Sequence, residues 1–356
     1  MSTLRIALAV TVLAAALCSP AAAAAYTVTD LGQGQAYGIN SSGEVVGTFG
    51  LYNGGVTTPL GGTAYGINDS GQVVGTFGLY SGGATIGLAG TGYAINNAGY
   101  VVGQNSGQGQ AYVYNINDRR TYGLGTLGGA TSCAYGINSA GQVVGGSLPA
   151  NSGGYPNLPN PFTCTTTTYR GHIIGSTMTN LLTYTSLPSF DYQYWPSQAQ
   201  GINNAGTIVG YMYDSNFIAF QYSNGALTVL GTLAGLNPPE GAPVWCGYSY
   251  AEAINNAGQI VGASTPGSSE QAYFGPLHAF IYDNGVMTDL NNLIDPTLGW
   301  TLEYAQAIND NGQIVGYGIG PDGNTDAFLL TPTPEPATMS LLAVGLAALV
   351  ARRRRS

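Results

Sequence analysis

The sequence predicts an all-β fold, a propeller of about seven four-stranded blades, on three observations. The first is a repeat. Ala36-Tyr37-Gly38-Ile39-Asn40-Ser41-Ser42-Gly43-Glu44-Val45-Val46-Gly47 recurs in loose form, with later copies on Ile67, Ile95, Ile137, Ile202, Ile254 and Ile308. Asn follows the Ile every time (Asn40, Asn68, Asn96, Asn138, Asn203, Asn255, Asn309), and Gly stands three residues further on (Gly43, Gly71, Gly99, Gly141, Gly206, Gly258, Gly312). Each copy reads as a tight hairpin. The Asn side chain caps the turn, the Gly takes a left-handed conformation, and a β-branched pair starts the return strand. The second observation is another hairpin in each full unit, with Asn284-Gly285 or Asn224-Gly225 at its turn, which brings the unit to four strands. The third is a displaced strand. The seventh unit ends after Asp326-Ala327-Phe328-Leu329-Leu330 without its fourth strand, while Val28-Thr29-Asp30-Leu31 matches Met287-Thr288-Asp289-Leu290. A ring closed by the N-terminal strand, residues 27–31 against 327–330, protects the edge that the seventh unit would otherwise expose. An open stack of β-hairpins is the alternative, favoured by two short units.

In chain order, residues 1–25 read as a secretory signal peptide: Arg5, an apolar run over residues 6–17, then small residues 21–25. The repeat domain follows over residues 26–331. Successive Ile positions are 28, 28, 42, 65, 52 and 54 residues apart, and joining the two ends gives about 36 more, a mean of about 44, close to a propeller blade. The two 28-residue units require very short outer strands. The fourth unit carries an insert over residues 148–195, whose Pro149, Pro156, Pro159 and Pro161 mark an irregular loop before a strand-like His172-Ile173-Ile174. A second loop spans residues 237–250. The tail, residues 332–356, has Pro334-Glu335-Pro336, an apolar run over 337–351 and then Arg352, Arg353, Arg354 and Arg355. Fifteen helical residues span only ~22 Å of a ~30 Å core, so the tail is expected to be a short transient transmembrane helix. Its arginines stay in the cytoplasm and the repeats outside.

The chain has no lysine, and five of its eight arginines lie in the two terminal signals. Its net charge of −9 argues against nucleic acid, which requires a basic surface to displace counterions. Cys133, Cys164 and Cys246 remain once the signal peptide is removed. An oxidising compartment allows one disulfide, expected between Cys133 and Cys164.

The repeat, together with His278-Ala279-Phe280 and the Asp283-Asn284-Gly285 turn, resembles the HAF-type extracellular repeat family. Pro334-Glu335-Pro336, the apolar run and the arginines resemble the PEP-CTERM sorting signal. The resemblance implies export by a Gram-negative bacterium, transient anchoring in the inner membrane and processing by an exosortase-type enzyme. It also implies a place at the cell surface or in a biofilm matrix, with exopolysaccharide or another matrix protein as partner. It implies no catalytic residue. Other copies replace His278 by Ile, Asp or Gln, so that histidine is not obligate.

Chemistry is sparse. The two histidines, His172 and His278, fall in different units, and no Gly-x-Ser-x-Gly elbow is present. No cofactor is expected. Asp322-Gly323-Asn324-Thr325-Asp326 spaces oxygens as calcium loops do but lacks the Gly at position six and the Glu at twelve, which leaves a plain polar turn as the simpler reading. Twenty-five tyrosines could offer stacking faces for sugars at loop tips, or simply pack between sheets. The expected function is that of a non-enzymatic binding or structural protein of the surface or matrix. The alternative is a secreted propeller enzyme acting on glycans through paired carboxylates drawn from Asp191, Asp214, Glu240 and Glu303.

Overall fold

The computed structural model describes residues 25–149, 160–169, 172–181, 197–214, 216–234, 247–267 and 276–333. The expected signal peptide apart from Ala25, the sorting residues from Pro334 onward, and Cys246 lie outside these residues. The first strand, β1 (Tyr26–Gln33), stands apart from the first blade, which consists of β2 (Ala36–Ile39), β3 (Val45–Gly47), β4 (Gly50–Asn53) and β5 (Val56–Thr58). The second is β6 (Ala64–Ile67), β7 (Val73–Gly75), β8 (Gly78–Ser81) and β9 (Ala84–Ile86). The third is β10 (Gly90–Ile95), β11 (Tyr100–Asn105), β12 (Ala111–Asn115) and β13 (Arg120–Gly125). The fourth is β14 (Gly128–Ile137), β15 (Gln142–Pro149), β16 (Asn160–Tyr169) and β17 (His172–Asn180). The fifth is β18 (Ser197–Ile202), β19 (Ile208–Asp214), β20 (Asn216–Ser223) and β21 (Ala226–Gly231). The sixth is β22 (Ser249–Ile254), β23 (Ile260–Ser264), β24 (His278–Asp283) and β25 (Val286–Asp289). The seventh begins with β26 (Thr301–Ile308), β27 (Ile314–Ile319) and β28 (Thr325–Pro332).

These strands form seven four-stranded antiparallel sheets, and the seventh is completed by β1 in the order β1-β28-β27-β26. Thr27 pairs with Thr331, Val28 with Leu330 and Asp30 with Phe328, before a bulge carries the pairing to Gln33 and Asp326. The first strand of each blade packs on the first strand of the next, and β26 packs back on β2. The ring is therefore closed, not an open stack, and its first strands surround a central channel.

Two local expectations change. In the two 28-residue blades the shortening falls on all four strands, which have 4, 3, 4 and 3 residues in each blade, and not on the outer strands alone. In the fourth blade, part of the stretch read as an irregular loop is the long outer pair β16 and β17, with Pro161 opposite Gly146. The expected Cys133–Cys164 disulfide is not made. Cys133 is a free, buried thiol opposite Gly146, whereas Cys164 lies opposite Val143. That register separates the two Cα atoms by two strands and three residues, roughly 14 Å by strand geometry, about twice the reach of a disulfide.

The core is divided into seven clusters, one at each blade interface. The β-branched pair of the repeat explains this division. Val45 packs towards the seventh blade and Val46 towards the second; Val73 packs towards the first and Val74 towards the third. The same split holds for every pair through Ile314 and Val315. Consecutive strand residues face opposite sides of a sheet, so two adjacent apolar residues serve two interfaces. Each buried Val or Ile contributes about 1.5–3 kcal/mol.

The Asn-x-x-Gly turns close a second ring, polar and at one end of the channel. Asn40 Oδ1 accepts from the backbone N–H of Ser42 and Glu44, and Gly43 adopts φ +80°. The remaining amide group reaches across to the next blade. Asn40 Nδ2 donates to the Asn68 carbonyl at 3.2 Å, Asn68 to Asn96 at 3.2 Å, Asn96 to Asn138 at 3.0 Å and Asn138 to Asn203 at 3.1 Å. Asn203 donates to Asn255 at 3.2 Å, Asn255 to Asn309 at 3.2 Å, and Asn309 back to Asn40 at 2.9 Å. All seven side chains are buried, and each has its donors and acceptors satisfied, as burial demands.

Deleting residues 26–32 removes the strand that completes the seventh sheet and leaves β28 as an open edge. The expected result is a fall in melting temperature of about 10 °C or more, read by circular dichroism. An unchanged melt would mean that β1 contributes nothing to closure.

Candidate functional site: a tyrosine-lined channel

Every first strand carries a β-bulge at the same place, between Ala36 and Gly38 in the first blade and at the equivalent positions in the other six. The cause lies in the last residue of the repeat. A Cβ on Gly47 would overlap the Gln35 carbonyl oxygen, and Gly75, Gly103, Gly145, Gly210, Gly262 and Gly316 meet the carbonyls of Thr63, Thr91, Cys133, Gln198, Tyr250 and Tyr304 in the same way. Only glycine lets the first strand come so near the second. The residue two positions beyond that carbonyl is the extra one, and a bulge re-aims its side chain.

The seven bulged residues are Tyr37, Tyr65, Tyr93, Tyr135, Gln200, Glu252 and Gln306. All are half-buried, and in six of the seven blades the residue before is a fully buried Ala. They form one belt around the channel wall. On one side the rings adjoin from blade to blade: Tyr37–Tyr65 at 5.2 Å between centroids, Tyr65–Tyr93 at 5.2 Å and Tyr93–Tyr135 at 5.5 Å, tilted by 46–58°. The Tyr37 hydroxyl donates to Gln35. On the other side the belt is Gln200, Glu252 and Gln306, and the aromatics come from neighbouring positions. Tyr211 and Tyr250 meet edge-on at 5.2 Å, Tyr250 and Tyr304 stack at 6.4 Å, and Tyr304 and Tyr317 stack at 5.2 Å with 10° between planes. Phe217 packs against Tyr211 and Tyr250.

Glu252 is the belt's one charged residue. Burial alone pushes its carboxyl up to about 7, because the charged form is poorly solvated there. Tyr211 and Tyr250 are each raised to about 12, first by burial and then by the Glu252 charge. Tyr317 is also raised to about 12, by burial, then Tyr37, then Glu252. Tyr304 is raised further by the same causes. The Glu252 charge thus contributes to the shift of all four phenols.

At the turn end the channel opens into a cavity of about 250 Å³, lined by the Ile and Asn of each repeat and the residue after them. Its two carboxylates are already engaged. Asp69 accepts from Ser41 N–H and from Asn97 Nδ2, and Asp310 from Asn256 N–H and Nδ2. A second cavity of about 210 Å³, lined among others by Gln104, Cys133, Tyr135 and Gln198, lies between the third, fourth and fifth blades. Burial raises the Cys133 thiol there to about 12, far from a reactive thiolate.

Of the carboxylates expected for an enzyme, only Glu303 has a described side chain. Asp191 and Glu240 lie outside the described residues, and Asp214 ends β19 with its side chain outside them. Burial raises the Glu303 carboxyl, opposed by the nearby His278. His278 itself pairs with Asp289 at 2.7 Å. Asp289 also accepts from Asn291, which binds the Leu302 backbone of β26 through both its Oδ1 and its Nδ2. His278 is thus part of a relay tying the sixth blade to the seventh. At the Asp322–Asp326 turn, Asp322 accepts from Asn324 N–H and Nδ2, so its oxygens serve the turn itself. Among the described residues, no group of three or more His, Cys, Asp or Glu side chains could hold a metal ion.

The sequence left the tyrosines as stacking faces at loop tips or as packing between sheets, and Glu252 was not singled out. The structure puts tyrosines on the channel wall. Aligning the copies on Ile and reading the column two residues before it would have revealed the belt.

Residues 332–355 match the PEP-CTERM protein-sorting motif. The chain carries an export and cell-surface sorting signal. This match covers the tail and does not reach the repeats. No curated protein matches the sequence. Among solved structures, YCF48 bound to a D1 peptide is similar in fold, with 11% identity and a TM-score of 0.50 over 88% of this chain and 100% of that one. A putative gluconolactonase is 10% identical with a TM-score of 0.41, covering 86% of this chain and 92% of that one. Pyrococcus horikoshii acylaminoacyl peptidase is 10% identical with a TM-score of 0.40, covering 70% and 39%. The first likeness is one of fold alone. Among the described residues no helix is long and apolar enough to cross a membrane; the tail expected to do so lies outside them.

The Glu252 carboxyl supplies a stability test. The folded protein holds its proton up to about 7, against 4.5 for an unperturbed Glu. The folded state therefore binds more protons in that window, and stability falls as pH rises through it. Glu252→Gln should melt higher than the parent above about pH 7, by ~1–3 kcal/mol, with the difference vanishing below about pH 4.5. Thermal melts across that range check both the sign and the window.

Proposed function

We propose that this chain is an exported, non-enzymatic binding protein of the cell surface or extracellular matrix, and that its ligand is a glycan held in the central channel. The observation that carries the reading is the arc Tyr37–Tyr65–Tyr93–Tyr135, four adjoining rings on the channel wall. Sugar rings present C–H faces that pack on aromatic planes, and the neighbouring Gln200 and Gln306 bring both donors and acceptors for hydroxyls. A concave, largely apolar site with a few convergent polar groups is where a ligand is expected first. Exopolysaccharide of the matrix is the natural candidate for a protein sorted to the surface.

Glycan-array binding followed by calorimetry tests this. Tyr65→Ala and Tyr93→Ala together should weaken the best glycan about tenfold or more. Turnover of a matrix polysaccharide by the purified protein would replace the binding reading with an enzymatic one.

The tail supports a second proposal, cleavage by an exosortase-type enzyme near Pro334-Glu335-Pro336. The two prolines prevent a helix from continuing through them, which leaves an extended segment next to the bilayer. Intact-mass analysis of the protein from its native host should show loss of about the first 25 residues and of the apolar tail. Retention of residues 341–356 would make the tail a plain anchor.

A further inference from the structure

The two sides of the channel differ in chemistry, and the glycan reading uses only one of them. Opposite the tyrosine arc, Glu252 has no hydrogen-bond partner and no cation beside it among the described residues; burial is the one effect that shifts its carboxyl. The contrast with the other channel carboxylates is direct. Asp69 and Asp310 have backbone and amide donors on their oxygens. The chain can offer Glu252 little, since it has no lysine. Arg119 and Arg120 are exposed at the outer hairpin of the third blade. The strand of Glu252 and the neighbouring ones bring tyrosines instead. Tyr250 stands two residues before it on β22 and adjoins Tyr211 at 5.2 Å and Tyr304 at 6.4 Å, and Tyr304 stacks on Tyr317 at 5.2 Å. The Glu252 charge contributes to the upward shift of all four phenols.

A half-buried carboxylate without a protein partner, in the channel belt beside a cluster of tyrosine rings, has the features of a receptor for an organic cation. The ring quadrupoles attract the positive charge, and the carboxylate gains the counter-ion it lacks. We propose that this side of the channel binds an ammonium group, and that the glycan of the preceding reading carries it as a free amine on a hexosamine unit seated between Glu252 and Tyr250, Tyr304 and Tyr317. The inference rests on that reading for the sugar and on Glu252 for the charge. Gln200 and Gln306 flank Glu252 in the belt and are neutral. The titratable groups facing it are the four tyrosines, Tyr211 from β19, Tyr250 from its own β22, Tyr304 from β26 and Tyr317 from β27. All of these stay protonated in the physiological range. Tyr317 also feels Glu303, whose own neighbour is His278.

The test compares a glucosamine oligosaccharide, its N-acetylated counterpart and spermidine by calorimetry. It uses the purified exported protein and its Glu252→Gln and Glu252→Asp variants, at about pH 5.5 and about pH 7.5. Near the higher pH the parent should prefer the free-amine oligosaccharide about tenfold, a preference that shrinks at the lower pH as Glu252 takes up its proton. Glu252→Gln should bind the two oligosaccharides alike at both pH values, and Glu252→Asp should keep part of the preference. Equal binding of both oligosaccharides by the parent would overturn the ammonium site while leaving the channel as a glycan site. Binding of neither oligosaccharide would end both readings. Glu252-dependent binding of spermidine alone would overturn the amino-sugar assignment.

Discussion

One side-chain amide hydrogen bond recurs at every joint between blades. The Asn that shapes its own turn with Oδ1 reaches with Nδ2 to the carbonyl of the next Asn, and after seven steps the series meets itself at Asn309 and Asn40. Because each of those carbonyls also accepts from its own turn glycine, as Asn40 does from Gly43, local and inter-blade geometry are set by the same atom. A turn that changed shape would misplace a donor on one side and an acceptor on the other, and a buried amide left unpaired costs ~1–3 kcal/mol. The spacing of blades around the axis, and with it the width of the channel, follows from this cycle. It also explains how blades of 28 residues coexist with one of 65. The cycle involves only the turn, and length differences are absorbed in all four strands and in the loops between them.

What could be read from sequence was whatever is local. Asn-x-x-Gly announces a turn because Asn and Gly act within four residues, and the displaced strand was visible because Val28-Thr29-Asp30-Leu31 repeats a pattern found elsewhere in the chain. The bulge was not visible, since it arises from a contact between Gly47 and the carbonyl of Gln35 on another strand. The division of Val45 and Val46 between two interfaces was likewise hidden until the sheets were stacked. The disulfide expectation failed for the same reason. Cys133 and Cys164 flank one hairpin in sequence, but a third strand, β15, lies between theirs. Glu252 was passed over because it stands alone, without any of the residue spacings that usually signal chemistry.

The composition has a counterpart in the site. A chain with no lysine leaves its carboxylates to be stabilised by amides and backbone N–H groups, and most of those described here are. Asp30 accepts from Gly32, Glu44 from Asn40 and Asn53, and Asp289 from Asn291. Glu252 stands apart from this pattern, at the position where four other blades have tyrosine. One repeat column thus carries both the aromatic wall and its single charge. Changes in that column alter the channel without touching the residues that hold the ring.

The pairing of β1 with β28 also imposes a timetable. The first strand of the body to leave the cell cannot find its partner until some 300 residues more have followed, and β28 ends at Pro332, the residue where the sorting motif begins. Ala25 accepts from the Thr333 N–H, so the point where the leader is expected to end and the start of the tail lie side by side. Bringing such distant segments together has an entropic cost and is slow, and until it happens two strand edges stay open to other chains. A tail that holds the chain at the membrane during this interval would keep an unfinished ring away from its neighbours. Release would then come only after the seam has been sewn.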